Sequence, residues 1–125
     1  MTAASDYAEL KILDHLLGTT AWTMPSGCYM KLHIGAAGED GTANAATEAT
    51  RKAVTFDAAA AGATANDAAI TWTSVSTTET YSHFSLWDAS TAGNCLIVGA
   101  LGSSVAVTAG DTFEIAIGDL DITAD

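Results

Sequence analysis

The sequence predicts a mainly β, single-domain antiparallel β-sandwich, jelly-roll or Ig-like with seven to eight strands, preceded by an N-terminal α-helix. Three observations predict it. Helical spacing of apolar residues occurs once, near the N-terminus, and ends at Gly18. Beyond Gly18 the chain turns to Thr, Gly, Ala and β-branched residues that alternate apolar and polar with period two. Turn formers then punctuate the alternating runs at short intervals. A length of 125 residues suits one domain, which buries roughly two thirds of the surface its unfolded chain exposes. The expected division is 1–24, helix and linker, and 25–125, sandwich.

The helix is expected from Asp6 to Leu17. Asp6 with Glu9 three residues on resembles a capping box, Leu10, Leu13 and Leu17 recur at helical spacing, and Gly18 is a natural stop. Ile12 and Leu16 widen the apolar face, so the helix needs a surface to lie against, either the domain body or a neighbouring subunit. Pro25 falls in the linker. Cys28, Met30, Leu32 and Ile34 alternate with Tyr29, Lys31 and His33, the pattern of a half-buried strand. Arg51 to Phe56 reads as a second strand with Val54 and Phe56 inward, and Ala69 to Ser74 as a third around Ile70 and Trp72. Tyr81 to Trp87 places Phe84 and Leu86 on one face and Tyr81, His83 and Trp87 on the other. Turn formers from Asp88 to Asn94 join it as a hairpin to Cys95–Leu101. Val105 and Val107 form a short strand that turns at Ala109-Gly110-Asp111 into Phe113, Ile115 and Ile117, and Leu120 with Ile122 close the chain. The segments 35–50 and 57–68 read as loops, the second being Ala-rich but without large apolar anchors.

Composition narrows the function classes. With 15 Asp+Glu against 4 Lys+Arg the formal net charge is −11. Four cations cannot neutralise the several phosphates that supply most nucleic-acid affinity, so no nucleic acid is expected as partner. No apolar run approaches the ~20 residues needed to span a bilayer, and no basic stretch leads into an apolar run after Met1, so neither membrane partner nor secretory signal is expected. Cys28 and Cys95 make no Cys-x-x-Cys spacing and lie in strand-like segments, which favours buried free thiols.

No residue set assembles catalytic chemistry. His15, His33 and His83 lack an identifiable nucleophile or open metal position beside them, and Leu101-Gly102-Ser103-Ser104 is not a nucleophile elbow. Gly38-Glu39-Asp40-Gly41 and Asp119-Leu120-Asp121 gather carboxylates without the regular ligand spacing of a calcium loop. The expectation is no enzyme, no cofactor and no metal. Trp22, Trp72 and Trp87 invite comparison with a sugar-stacking platform, but core or subunit packing is the commoner use of such rings.

Ile12-Leu13-Asp14-His15-Leu16-Leu17-Gly18, Tyr29-Met30-Lys31-Leu32-His33 and Arg51-Lys52-Ala53-Val54-Thr55-Phe56 occur in an order that resembles a family of small bacteriophage virion proteins. His83-Phe84-Ser85-Leu86-Trp87-Asp88-Ala89, Gly93-Asn94-Cys95-Leu96, Gly99-Ala100-Leu101 and Ala109-Gly110-Asp111-Thr112-Phe113 continue the likeness, which covers nearly the whole chain. Such proteins are labelled tail-fibre or head-decoration proteins, and the resemblance implies a structural virion role with no catalytic residues. The expected function is therefore a capsid decoration or cement protein, a homotrimer bound to the major capsid protein on the capsid exterior after assembly in the host cytoplasm. The rival readings are a tail-fibre or baseplate component and a carbohydrate-binding virion module. Leu10, Leu13, Leu17 and Trp22 are the expected subunit or capsid contacts.

Overall fold

In the computed structural model, which describes residues 2–124, the chain is mainly β, with every strand pairing antiparallel. In order the elements are β1 (Thr2–Ala4), α1 (Asp6–Leu16), β2 (Cys28–His33), β3 (Lys52–Val54), β4 (Ala63–Ala65), β5 (Ile70–Trp72), β6 (Glu79–Trp87), β7 (Cys95–Val107), β8 (Phe113–Ile115) and β9 (Asp121–Thr123). A five-stranded sheet in the order β1-β7-β6-β2-β3 forms one layer. Two ribbons, β4-β9 and β5-β8, supply the side chains that close the core over it.

The described strands number nine rather than seven to eight because two segments pair beyond what their own sequence signals. Thr2–Ala4 is too short to show a period, yet it adds to β7 through Thr2↔Gly99 and Ala4↔Ile97. Ala63–Ala65, inside the expected loop 57–68, pairs with β9 through Thr64↔Ile122. Small alanines carry no alternation, so only the partner strand reveals this one.

The core joins Met30, Leu32, Tyr81, Phe84, Leu86 and Val107 of the large sheet to Ile70, Trp72, Phe113, Ile115 and Ile122 of the ribbons. Trp72 is buried, lies 5.6 Å from the Phe113 ring, and donates its indole N–H to Thr50 O at 2.8 Å. Trp87 is buried too, so neither ring is available as a sugar platform.

Tyr81 corrects the expected facing of β6. Period two puts it opposite Phe84 and Leu86, but the register shifts between Tyr81 and His83. Tyr81 pairs with Val105 and His83 with Ala100, so Leu101–Ser104 bulge out opposite Ser82 alone. The shift turns Tyr81 into the core, 5.1 Å from Phe113. The same bulge lies within one continuous β7, where two strands were expected around Gly102-Ser103-Ser104. Ile34, expected inward, lies past the end of β2 and is 49% exposed.

Burial without a partner leaves the Tyr81 hydroxyl unsatisfied, and together with Glu79 and Glu48 it pushes the phenol pKa up to about 12. Tyr81→Phe removes an unpaid desolvation cost while keeping the ring. We expect a gain of about 1 kcal/mol, read as a melting temperature about 3 °C higher; an unchanged or lower value would show that the hydroxyl has a partner in solution.

Candidate functional site

The helix is fixed to the sheet at its first turn. Ser5, one residue before the expected cap Asp6, is the N-cap, and its Oγ accepts from Ala8 N at 3.1 Å. The same hydroxyl donates to Cys95 O at 2.5 Å, and Ser5 N donates to Leu96 O at 2.9 Å. Asp6 N donates to Glu39 O at 3.3 Å. These bonds set α1 against β7 and β1, at one edge of the five-stranded sheet.

What α1 turns toward the body is not its greasy face. Ala8 is its one buried residue, flanked by half-buried Tyr7, Lys11 and Asp14. At about 100° per residue these positions share one side of the helix. After Gly18 the chain doubles back along that side. Thr19 N and Thr20 N donate to Asp14 O at 2.9 and 3.2 Å, and Trp22 N donates to His15 Nδ1 at 3.1 Å. The Trp22 ring meets Tyr7 edge-on at 6.4 Å, and Lys11 Nζ stands over the Tyr7 ring.

The opposite arc holds Leu10, Ile12, Leu13, Leu16 and Leu17, which are 67%, 38%, 55%, 73% and 76% exposed. A helix that packs on its own domain buries such residues. Here the amphipathic pattern is inverted, and an apolar surface on one helix faces water. Of the four expected contact residues, Leu10, Leu13 and Leu17 lie together on that arc. Trp22 does not: it is half-buried on the other flank, where it braces the helix. Glu9 and Asp6 share the leucine arc at its N-terminal end, and the Glu39 carboxyl beside Asp6 is held above its usual range by that neighbour's charge.

The face of the large sheet away from the core carries a buried polar chain. His33 Nδ1 donates to Ala43 O at 2.8 Å, which leaves Nε2 to accept from Ser85 Oγ at 2.8 Å. Ser85 Oγ in turn accepts the Trp87 indole N–H at 2.8 Å. Arg51 covers the Trp87 ring at 3.9 Å and donates to Ala89 O and Ala92 O, locking the β6–β7 turn. Gly41 closes over this face with φ +71°, where a Cβ would stand 2.5 Å from Cys95 Sγ. Cys28 and Cys95 are free, and burial pushes both thiols up to about 11, which makes them inert at neutral pH.

The chain His33–Ser85–Trp87 is structural, and it gives the fold a pH dependence. Desolvation lowers the His33 pKa below the ordinary 6.5. A depressed imidazole contributes its stability in full above pH 6.5 and loses it as pH falls from there through the lowered value, because the unfolded chain takes up the proton first. We expect the melting temperature to drop between pH 7 and pH 5, with a shallower drop in His33→Gln. Equal slopes in the two proteins would remove His33 as the cause.

Within Gly38-Glu39-Asp40-Gly41 the Asp40 carboxylate serves a turn: its Oδ1 accepts from Thr42 N at 3.0 Å and Thr42 Oγ1 at 2.8 Å, which lowers its pKa. Among the described residues no three His, Cys, Asp or Glu side chains group as metal ligands, and no helix is long and apolar enough to cross a membrane. Sequence reasoning does not reach the part of Ser5, which depends on its contacts with β7, and it reads Glu39 only as a turn carboxylate, without its place beside the helix start.

A small mainly β body, a helix pinned by its cap, and an apolar arc turned outward are the geometry to be set beside known proteins. No curated protein matches the chain. A family model described as Gp80, podophage GP4 fiber I protein gp80, matches residues 3–123, which takes in α1, all of the five-stranded sheet but Thr2, and both ribbons. The chain thus belongs to the podophage GP4 fiber I protein gp80 family, a small phage virion protein family.

Proposed function

We propose that this protein is a non-enzymatic, fibre-type structural component of a phage virion that attaches to its neighbour through the outward arc of α1. The single observation that carries the reading is the inverted helix: five aliphatic side chains exposed on an element whose opposite side is fastened to the sheet. Association supplies the burial that the fold withholds. The description of the family supports the fibre placement. The placement as capsid cement, bound to the major capsid protein, uses the same surface and differs only in where the chain sits.

Gold-labelled antibody against the chain, applied to intact particles, tests both levels. Label on the tail or its fibres is the expected result. Label on the head replaces the fibre placement with the cement one, and particles free of label overturn the virion role itself.

A further inference from the structure

We infer that the outer face of the large sheet holds a site for a compact anion, a carboxylate or a phosphate borne on an otherwise uncharged molecule, bound between Lys31 and Arg51 above Trp87. The site shares no residue with the α1 arc, so it stands or falls apart from the attachment proposed above.

The first argument is placement. β2 and β3 pair through Tyr29↔Ala53 and Met30↔Lys52, and continuing that register by one residue sets Lys31 opposite Arg51. Both reach over one ring: Lys31 Nζ lies 5.8 Å and Arg51 Cζ 3.9 Å from the centre of Trp87. Two of the chain's 4 Lys+Arg are thus gathered at one spot in a chain of net charge −11. Like charges directly opposite on neighbouring strands destabilise a sheet. The Trp87 ring attracts each cation but does not cancel the repulsion between them, whereas an anion seated between them does.

The second argument is what the two side chains leave unpaired. Arg51 Nη1 donates to Ala89 O at 2.9 Å and to Ala92 O at 2.6 Å, which fixes the guanidinium and leaves Nε and Nη2 without a bond. Lys31 Nζ makes no hydrogen bond or ion pair among the described residues. The carboxylates nearby are committed to turns. Asp88 accepts from Asn94 N at 2.7 Å and Asn94 Nδ2 at 2.9 Å, and Asp40 accepts from Thr42. Asp88 feels the charge of Arg51 yet forms no ion pair with it. A fixed guanidinium edge and a free ammonium, both half-buried, are therefore held side by side. That is the donor geometry a carboxylate or phosphate matches.

The third argument limits the ligand. Trp87 is 7% exposed, so its ring holds the cations in place and offers no stacking surface of its own. Away from this spot the chain is acidic, and a long polyanion would meet that charge along its length. A small anion mainly feels the local pair, because salt screens charges more than about 10 Å away.

The test titrates the full chain with inorganic phosphate and, separately, with glucuronate, exchanging each for chloride at constant ionic strength. The readout is the Trp87 indole N–H resonance, identified by its loss in Trp87→Phe. That resonance should shift saturably while those of Trp22 and Trp72 stay in place. Lys31→Met should weaken the response about tenfold, and Lys11→Met, which removes the same charge from α1, should leave it unchanged. A response to phosphate alone makes the ligand a phosphate, to glucuronate alone a carboxylate, and to both a compact anion of either kind. No saturable shift with either anion overturns the inference, as does an equal response in native chain and Lys31→Met. In chloride buffer Lys31→Met should melt at or above the native temperature, since it relieves the like-charge pair. A fall of more than about 3 °C would make the pair a structural prop that needs no ligand, and would overturn the inference as well.

Discussion

Leu13→Gln with Leu16→Gln is expected to leave the folded chain intact and to cut its incorporation into particles about 30-fold. Both side chains are more than half exposed, and Gln matches Leu closely in helix propensity, so the melting temperature should stay within about 2 °C. Two central aliphatic contacts in an interface cost about 2 kcal/mol when truncated, and that converts to the stated factor. The substitution adds no charge, so a loss of binding reports the apolar arc and not repulsion. Quantitative immunoblotting of purified particles against input protein reads the result. Native-level incorporation would show that the arc is exposed for some other reason.

Trp72→Ala is expected to have the opposite character, destroying stability without touching the assembly surface. The ring is 1% exposed and packs on Phe113, which also receives Tyr81, so its removal opens a cavity where the β5-β8 ribbon meets the large sheet. It also strands the Thr50 carbonyl, which now accepts the indole N–H. Large-to-small changes of this kind cost about 4 kcal/mol, and the abandoned acceptor adds to it. For a domain of this size the loss is on the order of 12 °C in melting temperature. Trp72→Phe should recover part of the packing and none of the hydrogen bond, falling between the two. A melting temperature within 3 °C of native for Trp72→Ala would deny that the ribbon depends on this ring.

These two predictions also mark how far the sequence can be read. Trp72, Ile70, Met30, Leu32, Phe84 and Leu86 are all found where alternation puts them, because each lies in a regular strand whose parity is intact. Tyr81 is misplaced because one bulge resets the parity, and a bulge is set by the partner strand rather than by local residue type. His33 alternates with Met30 and Leu32 and so reads as surface. It is fully buried because the segment after β2 returns over it and Ala43 O meets its Nδ1. The free state of the thiols follows expectation, each Cys lying in its own strand. The helix is legible almost to the residue, yet its N-cap is Ser5, since that hydroxyl serves both Ala8 N and Cys95 O.

By itself the amino-acid order determined a β domain with one leading helix, an acidic surface and a set of aliphatics too numerous for that helix to leave unexplained. Those properties come from periodicity and composition, which act over neighbouring residues. Only the tertiary structure decided which way the helix faces. The bonds from Ser5 to β7 and the return of the chain over Tyr7 and His15 commit one side of α1 to the body, and the leucines are left to the other. Orientation about a helix axis is a contest between long-range contacts, and no local pattern records its winner.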